Sequence, residues 1–240
     1  FPYTTLFRSI LGGDKLGKVS RLAAVALADQ TVTGQNTQIS ISSANGSGGF
    51  VETSGKAISI NGKVNGKSKG ANGLWLIDPT DVVIDSGPNT NYNLNVTGGF
   101  STGSNSTSNV NVGTINAALD ADLNVCITTV TDGGGAGLGC ITLNGLITKA
   151  AGSSANLTLA AGADLLINNN IQSSSGALSV SLLAGQANSG GITVQNAIIS
   201  TRGGSLQMSG NATNGANGIS MNSATKDPRN GIVKRKTAAP

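Results

Sequence analysis

ITLNGLIT (141–148), LLINNNIQ (165–172) and ITVQNAII (192–199) align without gaps with one another and with ISINGKVN (58–65). In each, the first and third positions are aliphatic, the fourth is Asn or Gln, the fifth is Gly or Asn, and the seventh is Val or Ile. Aliphatics at alternate positions give a strand one inward face. Asn-Gly or Asn-Asn then accepts the positive φ of a corner. Each segment therefore predicts a strand, a turn and the start of another strand.

A second strand type falls between them, in NLTLAAG (156–162), ALSVSLLAG (177–185) and SLQMSG (205–210). The starts at 141, 165 and 192 lie 24 and 27 residues apart, too short for a βαβ unit of about 30 residues and suited to a solenoid. Linkers such as AAGSSAN (150–156) and GQANSGG (185–191) favour turns over helix. One coil cannot bury its own apolar face, whereas stacked coils pair every backbone N–H and C=O with a neighbour. The expected fold is all-β, a parallel β-helix of roughly eight coils about 40 Å long. A β-sandwich with turns every 8 to 12 residues satisfies the local spacing as well. The repeated strand and turn register favours the solenoid.

Composition agrees with a packed, weakly charged body. The 240 residues include 35 Gly and no His, with 38% hydrophobic, 3% aromatic and 11% charged residues. That hydrophobic content exceeds what a disordered tail carries. The net charge of +4 is unevenly placed: +5 in residues 1–70, −5 in 71–225 and +4 in 226–240. The central body offers only Lys149 and Arg202 as cations, so no phosphate-tracking surface and no nucleic-acid partner are expected. No run of about 18 apolar residues is present, so no transmembrane helix is expected. LAAVALA (22–28) follows Lys15, Lys18 and Arg21 as a short signal h-region would, but reads equally as a buried strand or short helix.

The ends differ from the body. FPYTTLFRS (residues 1–9) resembles a translated sequencing-library adapter and is set aside from fold reasoning. The solenoid is expected over residues 10–225. Residues 226–240, KDPRNGIVKRKTAAP, form a basic tail without alternation.

GGFVETSGKAISINGKV (48–64), GANGLWLIDPTDVVI (70–84) and TINAALDADLNVCITTV (114–130) resemble the filamentous haemagglutinin-like exoproteins of two-partner secretion, over about residues 30–222. The resemblance implies a right-handed β-helix shaft, export from a Gram-negative bacterium through an outer-membrane pore partner, a secreted or cell-surface location, and a role in adhesion or aggregation. It gives Gly49, Phe50, Val51, Glu52, Ser54, Gly55, Trp75, Leu76, Asp78 and Pro79 a structural role. The family's secretion domain has no counterpart in these residues, so recognition of the pore is not assigned to them.

The rival function is a polysaccharide-active β-helix enzyme, which needs carboxylates converging on one face. Its candidates are Glu52, Asp78, Asp81, Asp85, Asp120, Asp122, Asp132 and Asp164, with Asp78, Asp81 and Asp85 closest in sequence. No catalytic residue, cofactor or metal ligand is assigned, because His is absent, only two Cys are present, and the Gly run at 133–135 after Asp132 does not recur at nine-residue spacing. Trp75, the sole Trp, is expected in the core with Asp78 and Pro79 setting the next turn. Cys126 and Cys140 flank a Gly-rich loop and either form a disulfide worth on the order of 3 kcal/mol or remain packed thiols. The triplets at Asn45, Asn95, Asn105, Asn156 and Asn211 match the glycosylation pattern at a frequency expected of such composition. The polar stretch 85–113, with Tyr92 and Phe100, is the first candidate for surface contact.

Overall fold

The computed structural model describes residues 8–11, 28–89, 93–94, 100–101, 107–130, 138–213, 218–222 and 225–226. Tyr92, Asp132, the Gly run 133–135, most of 22–28 and residues 227–240 lie outside them. The chain advances as a parallel β-solenoid of about six turns with one short helix.

Each regular turn lays one strand on each of three faces. The first contributes β1 (Arg8–Leu11), β2 (Gln30–Thr33) and β3 (Gln38–Ser40), and the second β4 (Phe50–Ser54), β5 (Ala57–Ile60) and β6 (Lys63–Asn65). The third begins with β7 (Leu74–Asp78) and β8 (Asp81–Asp85), makes an excursion bearing the antiparallel pair β9 (Asn93–Leu94) and β10 (Phe100–Ser101), and returns through β11 (Thr107–Asn111) into α1 (Val112–Asp120). Regular turns resume with β12 (Asn124–Thr128), β13 (Ile141–Leu143) and β14 (Ile147–Lys149), then β15 (Ala155–Ala160), β16 (Leu165–Ile167) and β17 (Ile171–Ser173). They continue with β18 (Leu178–Ala184), β19 (Ile192–Gln195) and β20 (Ile198–Ser200), and close with β21 (Leu206–Gly210), β22 (Ile219–Asn222) and β23 (Thr225–Lys226).

The first face is continuous, in the order β1-β4-β7-β12-β15-β18-β21. Its inward columns stack like on like: Val51, Trp75, Val125, Leu157, Val180 and Leu206 occupy one row, and Ile77, Ile127, Leu159, Leu182 and Met208 the next. These side chains belong to a single buried apolar cluster. Six strand intervals of about 4.8 Å give a length near 29 Å. This is shorter than the eight coils expected, because the excursion and the helix absorb residues without adding a full turn.

Three features correct the reading from sequence. The fourth repeat is not gapless to its end: β20 sets Ile199, not Ile198, opposite Ile171, leaving Ile198 43% exposed. Asn196, at φ 53, lies in the turn that takes up the extra residue. The stretch 85–113 is only partly an excursion, since β11 pairs with β8 in the second face and buries Ser108 and Val110. Ser108 Oγ accepts from the Ile58 N–H at 2.9 Å, joining this strand to β5. The segment starting at 112 is helical rather than shaft strand, with Ile115, Ala118 and Leu119 turned inward. Arg8 and Ser9 lie in β1 opposite Phe50 and Val51.

Turn glycines recur at the corner after the third face. Gly152, Gly176 and Gly203 have φ of 76°, 68° and 89°. A Cβ on Gly176 would land on the Ser153 carbonyl of the turn below, whereas Gly203 has open space around it. Gly176→Ala should therefore lower stability by more than the roughly 1 kcal/mol of left-handed strain that is all Gly203→Ala should cost, in urea unfolding followed by circular dichroism. Leu159→Ala, in the middle of the apolar column, should cost about 2–5 kcal/mol in the same experiment.

Candidate functional site

The residues that carry the family resemblance form two adjacent rungs. β4 and β7 pair in register, Phe50 with Leu74 through Ser54 with Asp78, so the 24-residue separation of the two motifs is one turn. Val51, Glu52, Ser54, Trp75, Leu76 and Asp78 are all at most 3% exposed, and Gly49, Gly55 and Pro79 are buried with them while Phe50 is half-buried. The Trp75 indole N–H donates to Thr53 Oγ1 at 3.1 Å. It sits in the core, as expected, between Val51 and Val125 in the inward column. Ser54 Oγ donates to the Glu52 carboxylate. The Trp75 indole thus bridges two adjacent rungs, and of these residues only Phe50 is not buried.

The described carboxylates are mostly engaged one by one by nearby donors, although Asp81 and Asp164 both act on Cys140. Asp81 accepts from the Gly139 and Cys140 N–H groups at 2.8 and 2.7 Å. Asp85 accepts from Gly87 N–H at 2.6 Å and Asn109 Nδ2 at 2.9 Å. Asp120 takes the Ala150 and Ala151 N–H groups at 2.6 and 2.9 Å, and Asp164 takes Gly191 N–H at 2.8 Å. Asp78 is fully buried. Most of these aspartates accept from backbone donors in the turn of a neighbouring rung, at part-buried or exposed positions. Among the described residues, no group of three or more His, Cys, Asp or Glu is gathered to hold a metal ion, and no helix is long and apolar enough to cross a membrane.

Cys126 and Cys140 are not joined in a disulfide. Cys126 alternates with the buried Val125 and Ile127 on β12 of the first face, whereas Cys140 enters the second face beside Asp81 and Asp164. Burial raises the pKa of the Cys140 thiol first; a backbone hydrogen bond at Asp164 opposes that, and the negative charges of Asp81 and Asp164 add to it. A neutral thiol between two carboxylates is a poor nucleophile for disulfide exchange.

A polar ladder runs along the corner that follows the second face. Asn168 Nδ2 donates to Asn144 Oδ1 at 2.9 Å, and Gln195 Nε2 to Asn168 Oδ1 at 2.7 Å. Asp85 and Asn109 carry a similar side-chain link across β8 and β11 at 2.9 Å. These are the Asn and Gln of the repeat's fourth position. Their amides both donate and accept, so each satisfies the next.

Lys149, one of only two cations in the central body, is the largest polar side chain in the core, with none of its surface exposed. α1 ends in a Schellman turn: Leu123 N–H reaches Ala118 O at 3.0 Å and Asp122 N–H reaches Leu119 O at 3.1 Å. Asp122 occupies the left-handed position at φ 61. The Lys149 ammonium donates to Leu119 O at 3.0 Å and to Ala151 O, and lies 3.5 Å from Asp122 Oδ1. A cation is thereby fixed at the negative end of the helix. Nothing in the local sequence pairs residues 122 and 149, which only the coil geometry brings together.

No protein-family model matches the chain, and no curated protein matches it.

Three outcomes follow from this geometry. Asp122→Ala should lower stability by about 3–5 kcal/mol, the cost of stranding a buried charge, in urea unfolding. Alkylation of Cys140 by iodoacetamide should stay slow until the pH exceeds the ordinary thiol value, because the folded chain retains the thiol proton; equal rates for Cys140 and a free cysteine at pH 8 would contradict the geometry. Intact mass should not change on reduction.

Proposed function

We propose that the chain is a shaft segment of an exported bacterial surface exoprotein of the filamentous haemagglutinin-like type, acting in adhesion or aggregation as a rigid spacer that displays its excursion loops. The observation that carries this reading is the use made of the polar groups: aspartates, amides and the buried lysine link one rung to another and hold turns and the helix end in place. A side chain already engaged by backbone N–H groups is poorly placed to act as a general acid or base. The resemblance of residues 48–64 and 70–84 supplies the family, the secreted or cell-surface location, and the outer-membrane pore partner. Phe100 falls on the β9–β10 hairpin of the excursion, which keeps that excursion as the contact candidate.

A long sequencing read across the source locus tests the reading. It should extend the frame upstream to a secretion domain beside an outer-membrane pore gene. A frame without either, together with release of reducing ends from neutral or acidic glycans by the purified chain, would replace the shaft with an enzyme.

β21, the last strand of the first face, is paired on one side only among the described residues, and an unpaired strand edge templates association. Sedimentation of the purified chain should show concentration-dependent self-association. A clean monomer at high concentration would contradict this.

A further inference from the structure

The third face is interrupted where α1 replaces a strand. β6 pairs with β3 along one edge, Gln38 opposite Lys63 through Ser40 opposite Asn65, and the next third-face strand, β14, begins the separate ladder β14-β17-β20-β23. Lys63 N–H donates to Thr37 O at 2.9 Å and Asn65 O accepts from Ile41 N–H at 2.8 Å. Both residues thus direct their amides toward β3. Successive residues of a ladder strand alternate in this respect, so the N–H and C=O of Val64 between them point the other way, toward α1.

That space is a cavity of about 400 Å³, lined on the β6 side by Lys63, Val64 and Asn65, on the helix side by Thr114 and Ala117, and reaching Trp75 in the core. Its helix wall is made of small side chains: Gly113, Ala117 and Ala121, four residues apart, all line it. A wall of this kind lets another backbone approach closely. Lys63 is exposed and has no anionic partner among the described residues, whereas Lys56 is paired with Asp29 at 2.6 Å and Lys67 lies 4.0 Å from Asp122.

We propose that the cavity between β6 and α1 is a peptide-binding site, which takes an extended segment bearing an acidic side chain. The segment adds to the free edge of β6 through the Val64 amide, continuing the β3–β6 ladder, and its carboxylate meets Lys63. The site goes beyond the shaft reading and does not depend on export or on adhesion. An extended peptide suits it better than a free anion because the unused groups at its base are a backbone donor and acceptor side by side.

Trp75 is the only tryptophan in the chain and lines the cavity, so its fluorescence reports occupancy. The full chain would be titrated with an end-capped pentapeptide alternating valine and glutamate. A saturable change in Trp75 emission is expected, and it should weaken as salt screens the ion pair. Reversing the exposed charge with Lys63→Glu should weaken binding by roughly tenfold or more, and filling the cavity with Ala117→Leu should abolish it. Circular dichroism checks that each variant folds, and Lys63→Glu decides the matter if Ala117→Leu does not. Equal binding of a peptide with lysine in place of glutamate, or no saturable change with the original, would overturn the proposal. So would an identical response to glucuronate alone, which would make this a small-anion site.

Discussion

Every rung of this molecule depends on the backbone ladder to the rungs beside it. A parallel strand pair at about 4.8 Å spacing satisfies the main-chain groups of both strands and fixes which side chain lies over which. Once Val125 is set over Trp75 and Leu157 over Val125, the inward columns, the turn glycines and the polar ladder are all fixed in register. A shift of one residue would turn the apolar face outward. Register is therefore the quantity that the rest of the structure protects.

The polar residues are best understood as part of that protection. A corner interrupts the ladder and leaves N–H groups without a strand partner, and aspartates answer this repeatedly. Asp81, Asp120 and Asp164 each accept from the turn of a neighbouring rung. Lys149 answers the opposite problem at the end of α1, where carbonyls are in excess. A chain with few charged residues has placed many of its acids inside the architecture.

The interruption at the third turn has the opposite character. β11 enters the second face out of sequence order, between β5 and β8, and α1 takes a strand's place on the third. A helix about 10 Å across cannot match a 4.8 Å interval. The mismatch leaves a free edge on β6 and a cavity beside it. The regular rungs on either side leave no comparable break in the third face.

The sequence by itself determined the solenoid. The alternating aliphatics, with an Asn-Gly corner in 141–148 and an Asn-Asn corner in 165–172, place β13, β14, β16 and β17 directly, because each pattern is local and repeats. It also placed Trp75 in the core, from its aliphatic flanks. The helix was legible only in retrospect, from Asn111 as a cap and the spacing of Ile115, Ala118 and Leu119, and nine residues are too few for periodicity to outweigh a neighbouring strand pattern. Tertiary structure alone decided the one-residue shift at Ile198, the separation of Cys126 from Cys140, and the meeting of Lys149 with Asp122. Each depends on which residue of one coil lies over which residue of the next, and that choice belongs to the stacking of coils and is not written within any single one.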